Sequence, residues 1–290
     1  MDWIKESWVD NNFCLDVSSA VRNNRKLEEI AVDVVTKISK RYPPPYTLMM
    51  SGGIDSQSML WCWLQTDIPF NVTTVRYTDY DGNILNEHDV SNMENVSELY
   101  GVPVNYINFN LIEFLENDLY CYAITYRCTS PQITAYIKMS EMINTGTIMF
   151  SGDFLFSAVY NYTVLGMKRY ADSINNEKRK VIPFFLLHDS ELAAAVSHDD
   201  TFHNPANGFE FSYKRKVSAL ESSGIKLIPQ KIKYSGFENV KTIYDKRYDL
   251  VTAKERLRYF NKPSKRFFDI IFRYRLTEIV KYEDNIVWIT

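Results

Sequence analysis

Apolar residues recur with two different spacings along the first 150 residues of the chain. Helical spacing predicts helices over residues 16–41, 57–65, 87–100, 111–125 and 131–143. Short apolar runs predict buried strands over residues 46–50, 71–77, 104–109 and 147–150. Because these strands alternate with helices, we expect an α/β fold with a parallel, twisted sheet and helices on both of its faces.

The pattern changes after about residue 155, where strand signals become sparse. Helices are predicted there over residues 190–197, 211–222, 254–260 and 266–281. We therefore expect the parallel sheet to be followed by a mainly helical C-terminal part.

Charge and cysteine content narrow the functional classes. The 290-residue chain has a net charge of −3, so as a whole it is not basic enough for a duplex-binding protein. A basic stretch over residues 254–275 leaves nucleic acid open as a partner, but a solvated helix face is favoured. The four cysteines form no CxxC pair, which argues against a zinc ribbon. With no run of about 18 apolar residues, we expect a cytoplasmic protein with no membrane partner.

The strongest chemical signal is the hexapeptide over residues 51–56, which follows the first predicted strand and which we name the glycine loop. Gly52 and Gly53 let the backbone take positive φ and approach a ligand closely. The helix that follows offers N–H groups and a positive dipole end to an anion. The hydroxyl groups of Ser51 and Ser56 can donate to phosphate oxygens. Asp55 would repel phosphate directly, so we expect it to bind a bridging magnesium ion or to cap the helix.

The pattern SGGxDS after a first strand resembles the PP-loop of the N-type ATP pyrophosphatases, in particular the synthetase domain of asparagine synthetase. Members cleave ATP between the α and β phosphates, adenylate a substrate oxygen and release pyrophosphate, after which a nitrogen nucleophile displaces AMP. The resemblance implies an adenine nucleotide alpha hydrolase-like fold, with ATP and Mg²⁺ as cofactors. It implies that pyrophosphate and its magnesium are held by Ser51, Gly52, Gly53, Asp55 and Ser56. It also implies that the backbone near Val75 and Arg76 borders the adenine.

Three weaker features extend this resemblance. Asp153, after Ser151 and Gly152, resembles the acidic end of a glycine-containing segment in asparagine synthetase, which implies a second magnesium ligand. Residues 182–185 resemble the family's "PF" segment. Lys214 and Lys216 come where the family carries a lysine that stabilises the pentavalent phosphorus, and Lys214 is favoured as that catalytic residue. An ordinary Gly-Asp turn and a basic surface helix are the alternative interpretations.

The expected acceptor is a small molecule with a carboxylate or amide-type oxygen, and the expected nucleophile is ammonia or an amine. Asparagine synthetase begins with a glutaminase domain whose nucleophile is an N-terminal cysteine. Here Asp2 follows Met1, and only about 50 residues precede the glycine loop. We therefore expect ammonia to be taken up free, delivered by an ammonia-supplying partner protein, or replaced by an amine substrate.

Two other functions stay open at this stage. Cys121 and Cys128 are seven residues apart and would share one face of an unbroken helix, as a tRNA-thiolating PP-loop enzyme would need; two buried thiols are the simpler interpretation. The region from Tyr77 to the stretch 100–102 also resembles 7-cyano-7-deazaguanine synthase, but the zinc-binding cysteines of that enzyme are missing. The third alternative is a non-catalytic nucleotide-binding protein that has kept the loop.

The predicted organisation has three parts. Residues 1–45 form an N-terminal helical segment, residues 46–180 form a PP-loop ATP-binding α/β domain, and residues 181–290 form the mainly helical C-terminal part.

Overall fold

In the computed structural model of the chain, the described residues are 5–9, 12–16, 25–126, 128, 131–152, 162–174, 178–196, 208–230, 235–237, 239 and 240. Asp153 and the predicted helices over 254–260 and 266–281 lie outside these residues. The described strands are β1 (Lys5–Val9), β2 (Asn12–Asp16), β3 (Tyr46–Met50), β4 (Phe70–Thr78), β5 (Val104–Asn110), β6 (Gly146–Phe150) and β7 (Arg179–Ile182).

The described helices are α1 (Leu27–Arg41), α2 (Ile54–Leu64), α3 (Glu87–Tyr100), α4 (Leu111–Asn117), α5 (Leu119–Thr125), α6 (Pro131–Ser140), α7 (Tyr162–Ser173), α8 (Ser190–Val196) and α9 (Gly208–Ser222). A 3₁₀ turn, Phe185–Leu187, precedes α8. Among the described residues, no helix is both long and apolar enough to cross a membrane.

A five-stranded sheet, parallel throughout, forms the centre of the described structure, which is an α/β fold. The central strand β3 is buried at every position, as expected for a strand covered on both faces. Met50 on β3 is paired with Thr74 on β4, and Thr47 is paired with Ile148 on β6. The four predicted strands are confirmed, whereas β7 was not predicted, because its first two residues, Arg179 and Lys180, are charged and leave an apolar run of only two residues.

The strand order β5-β4-β3-β6-β7 reverses the direction of winding between β3 and β6. Crossovers between parallel strands are right-handed, so the connections before and after this reversal lie on opposite faces of the sheet. The helix contacts agree, since α1 packs on α2 and α8, whereas α6 packs on α5 and α7. In sheets of this kind, ligands bind outside the carboxyl ends of the strands at the point of reversal, here the ends of β3 and β6.

Two helix predictions need correction. The helix predicted over 16–41 begins only at Leu27, where the buried face of α1 starts, and Asp16 instead ends a strand that pairs with β1. The helix predicted over 111–125 is two helices, since α4 ends at Asn117 with Asp118 as its C-cap and α5 begins at Leu119. By contrast, α3 has the predicted bounds and ends at Gly101, whose φ of 65° is the left-handed conformation that glycine favours.

Candidate functional site: a glycine loop at the point of reversal

The glycine loop leaves the carboxyl end of β3 and leads into α2, beside the point where the strand order reverses. On the neighbouring strand β6, the turn at Ser151 and Gly152 leaves the sheet at the same edge. The structure therefore brings together the two glycine-containing turns that the sequence identified separately. Their common position is the one at which α/β sheets bind ligands.

Gly52 is the tightest point of the loop. Its φ is +75°, a conformation that side chains other than that of glycine rarely adopt. A Cβ atom at this position would lie 3.1 Å from the backbone oxygen of Asp89 and 3.1 Å from the backbone nitrogen of Met93. The positive φ and the close approach to α3 both require glycine here.

The two serines of the loop have different environments. Ser56 is buried, and its hydroxyl donates to the Gly53 carbonyl at 2.8 Å, so it stabilises the start of α2. Ser51 is exposed, and its hydroxyl oxygen accepts from the Gly53 N–H at 3.4 Å, a long hydrogen bond. Gly53 occupies the N-cap position of α2, so Asp55 is not the capping residue and lies within the first turn. The Ser51 hydroxyl is thus the more accessible of the two.

An ion pair joins the loop to the second half of the chain. The Lys216 Nζ atom lies 2.5 Å from the Asp55 Oδ1 atom, and these side chains are 11% and 22% exposed. On α9, Lys216 shares a face with the buried Leu220, four residues later, whereas Lys214 points away from that face and is exposed. The spacing of apolar residues along α9 was the signal that could have favoured Lys216 from the sequence.

Side-chain amide groups that were not predicted from the sequence stabilise the glycine loop by hydrogen bonds to its backbone. The fully buried Gln57 donates from Nε2 to the carbonyl of Gly52 at 2.7 Å and to that of Ile228 at 2.8 Å. Its Oε1 accepts from the Ile228 N–H at 2.8 Å. The Asn92 Nδ2 atom also donates to the Gly52 carbonyl, at 2.6 Å. Residues 225–230, which we name the crossing segment, are held against the loop in this way.

The crossing segment ends at the mouth of the loop. Gln230 donates from Nε2 to the Asp89 Oδ1 atom at 2.8 Å, and its backbone N–H donates to the Tyr213 hydroxyl at 3.1 Å. Tyr213 precedes Lys216 by one turn of α9. The segment therefore connects α3 and α9 across the glycine loop.

Val75 and Arg76 lie on β4, next to the loop. Val75 is buried and its carbonyl accepts from the Asn86 side chain at 2.9 Å. Arg76 places its guanidinium carbon 3.6 Å from the centre of the Tyr106 ring. Its buried Nε atom has no hydrogen-bond partner among the described residues. Since Thr74 pairs with Met50, Arg76 comes two residues further, at the level of the loop.

The segments before Asp153 and around Phe184 are in contact, although Asp153 itself lies outside the described residues. Gly152 has a φ of +78°, and a Cβ atom there would lie 3.1 Å from the Phe184 Cα atom. The Leu186 N–H donates to the Ser151 carbonyl at 3.1 Å. The chain therefore approaches position 153 from the same edge of the sheet as the glycine loop.

A magnesium ion held together with phosphates fits this chemistry. The described residues contain no group of three or more His, Cys, Asp or Glu side chains that could bind a metal by themselves. Magnesium in nucleotide sites is usually held by only one or two carboxylates, with phosphate oxygens and water completing its shell. Asp55, partly exposed at the loop, is a suitable carboxylate for such an ion.

The cysteine pair does not have the predicted arrangement. Helix α5 ends at Thr125, so Cys121 and Cys128 do not share the face of one unbroken helix. Cys121 is exposed, whereas Cys128 is fully buried and packs against Gly166 on α7. A pair of thiols acting together is therefore unsupported.

No protein-family model matches the chain, and no curated protein matches it either. The function is therefore inferred from the geometry of the site.

Proposed function

We propose that the chain is an ATP-dependent, AMP-forming ligase of the PP-loop type with an adenine nucleotide alpha hydrolase-like fold. One observation carries the proposal: the glycine loop opens α2 at the point of reversal of a parallel sheet, with the ammonium group of Lys216 beside it. An anion in this position would meet the N–H groups of a helix start, a positive dipole end and a cation. The strand order and the SGGxDS pattern both support a nucleotide as the ligand.

In this proposal, Lys216 rather than Lys214 is the cation that faces the phosphates. Lys216 and Asp55 neutralise each other in the absence of ligand. Magnesium–ATP carries both signs of charge, so Lys216 would pair with its phosphates and Asp55 would hold its cation. This exchange keeps both partly buried charges paired throughout binding, which avoids the cost of leaving either one uncompensated.

Asp55 would hold the magnesium ion, and Asp153 is proposed as its second carboxylate. The ion would neutralise phosphate charge during cleavage between the α and β phosphates. Lys216 Nζ would donate to phosphate oxygens while their negative charge increases, since electrostatic stabilisation of this kind favours the transition state over the ground state. The hydroxyl of Ser51 would donate to the departing pyrophosphate.

The proposed acceptor is a small molecule with a carboxylate or amide-type oxygen, which attacks the α phosphorus and displaces pyrophosphate. The nitrogen of ammonia or an amine then attacks the carbon that bears the adenylated oxygen, the bond from that carbon to the oxygen breaks to release AMP, and the nitrogen loses a proton to solvent. The exposed position of the loop mouth, between Asp89, Gln230 and Tyr213, is where we place the acceptor. These polar side chains suit a substrate with hydrogen-bonding groups.

The products of ATP turnover test the proposal. The purified chain is incubated with magnesium–ATP, ammonium chloride and a panel of carboxylates, and the nucleotides are separated by chromatography. AMP and pyrophosphate are the expected products. ADP and orthophosphate as main products would overturn the PP-loop assignment, and ATP binding without any turnover or pyrophosphate exchange would favour the non-catalytic nucleotide-binding alternative.

A further inference from the structure

We propose that Gln57 and Asn92 are positioning residues that orient the Gly52–Gly53 peptide for anion binding. This inference rests on the proposed binding of phosphate groups at the glycine loop. Its basis is that the Gly52 carbonyl accepts two side-chain hydrogen bonds, from Gln57 Nε2 at 2.7 Å and from Asn92 Nδ2 at 2.6 Å. Both amide groups are hydrogen-bonded to backbone carbonyls of the loop and of Ile228, so we infer that each acts through the loop backbone.

The orientation of this peptide decides whether the loop attracts or repels an anion. A peptide between two glycines can rotate at low cost, because neither residue carries a Cβ atom. The Gly52 oxygen is directed towards Gln57 and Asn92, and the N–H group of the same peptide, that of Gly53, donates to the hydroxyl of the exposed Ser51. If the peptide rotated, the partial negative charge of the oxygen would replace an N–H group at the anion site.

Burial makes the Gln57 amide effective in holding the peptide in this orientation, and the half-buried Asn92 adds a second hydrogen bond to the same carbonyl. Gln57 is 0% exposed, and its side-chain hydrogen bonds go to backbone groups of Gly52 and Ile228. Rotation of the Gly52–Gly53 peptide would leave buried amide donors without one of their acceptors, which folded proteins avoid. The observed peptide orientation is therefore the favoured one before any ligand arrives.

The same two side chains also contact the crossing segment, so their hold on the Gly52 carbonyl depends on the position of that segment. Gln57 binds both the N–H and the carbonyl group of Ile228, in the manner of a paired strand, and Asn92 Nδ2 lies 3.5 Å from the Ile228 carbonyl. Displacement of the crossing segment would release Gln57 and weaken its hold on Gly52. Phosphate affinity and the docking of residues 225–230 should therefore change together.

The test compares a substitution near the start of α2 with one at its C-cap. Gln57→Met removes the amide at the loop without adding charge, and Gln65→Met removes an amide that donates to the Trp61 carbonyl at the other end of α2. Binding of inorganic pyrophosphate and of magnesium–ATP is measured by titration calorimetry. We expect Gln57→Met to weaken both affinities about tenfold or more, with unchanged stoichiometry, and Gln65→Met to change them less than about twofold.

Circular dichroism and thermal denaturation under the titration conditions separate positioning from loss of folding, because a variant that is partly unfolded at equilibrium would also show a raised apparent dissociation constant. Asn92→Leu, at a less buried position, provides the same test if Gln57→Met does not fold. Hydrogen exchange should also increase in peptides covering residues 51–56 and 225–230 together. Unchanged affinity in folded variants would overturn this inference alone, whereas failure of the wild-type chain to bind either probe would overturn the proposed function as well.

Discussion

The Lys216 Nζ atom lies 2.5 Å from the Asp55 Oδ1 atom, so a helix in the second half of the chain contributes a cation to the loop after the first strand of the parallel sheet. Both side chains are largely removed from solvent. An ammonium and a carboxylate held at the start of a helix form a site of mixed charge, which matches a phosphate group with its counterion better than it matches a simple anion.

This relationship predicts that the two lysines of α9 differ. Lys216→Met should weaken the binding of ATP and pyrophosphate about tenfold to a hundredfold, because a charge-assisted hydrogen bond contributes roughly 1.5–3 kcal/mol. Lys214→Met, on the exposed side of the same helix, is the matched control and should leave the affinities within about twofold. Calorimetric titration measures the affinities of both variants. A larger loss of affinity for Lys214→Met would show that Lys214, and not Lys216, is the cation that contacts the phosphates.

Asp55→Ala should change nucleotide affinity in opposite directions with and without magnesium, compared with the wild-type chain. With magnesium present, ATP should bind more weakly to the variant, because the ion loses a carboxylate ligand. With the ion removed by a chelator, ATP should bind more tightly, because a negative charge is gone and Lys216 loses its competing partner. Titrations in both conditions give the answer, and equal losses in both would show that Asp55 is not a magnesium ligand.

Gly52→Ala should destabilise the chain more than Gly82→Ala does. Both glycines have positive φ, of 75° and 83°, so both substitutions introduce similar backbone strain. Only at Gly52 would the new Cβ atom also press on the backbone of α3, whereas at Gly82 nothing lies within 4 Å. We expect the free energy of unfolding to fall about 1–3 kcal/mol further for Gly52→Ala, as measured by urea denaturation. Equal losses of unfolding free energy for the two variants would show that α3 can shift at little cost to accommodate the new Cβ atom.

Tyr170→Phe should lower the free energy of unfolding, and it should make this free energy fall less steeply as the pH rises in the alkaline range. Burial raises the pKa of Tyr170 to about 12, even though the hydrogen bond from Ser140 and the positive charge of Arg179 act in the opposite direction. Since the unfolded tyrosine titrates near pH 10, its contribution is complete below about pH 10 and is lost as pH rises towards 12.

At pH 8, the lost hydrogen bonds should cost Tyr170→Phe about 1–2 kcal/mol of unfolding free energy. Urea denaturation at pH 8 and at pH 11 measures both effects, with Tyr80→Phe as the control at an exposed position. A variant whose stability falls between these two pH values as steeply as that of the wild-type chain would show that Tyr170 does not contribute to the alkaline loss.

Much of the local structure was predictable because it depends on short-range periodicity. The buried strand β3, the bounds of α3 and its end at Gly101 all follow from apolar spacing and glycine geometry. The prediction was wrong where a local pattern extended past its element, as at Asp16 and at Asp118. It missed β7 because this strand, at the edge of the sheet, begins with two charged residues that are only partly buried and has just two buried apolar residues.

By itself, the sequence determined the alternation of strands and helices and the place of the glycine loop between a strand and a helix, because backbone geometry translates residue spacing into these elements directly. Only the tertiary structure decided the strand order, the choice of Lys216 over Lys214 as the neighbour of Asp55, and the contact of Gln57 with Ile228. These depend on the packing of segments far apart in the chain. A buried amide or ammonium takes the partner that this packing provides; the apolar spacing along α9 favours Lys216 for the buried side of the helix, but it does not identify Asp55 as the partner.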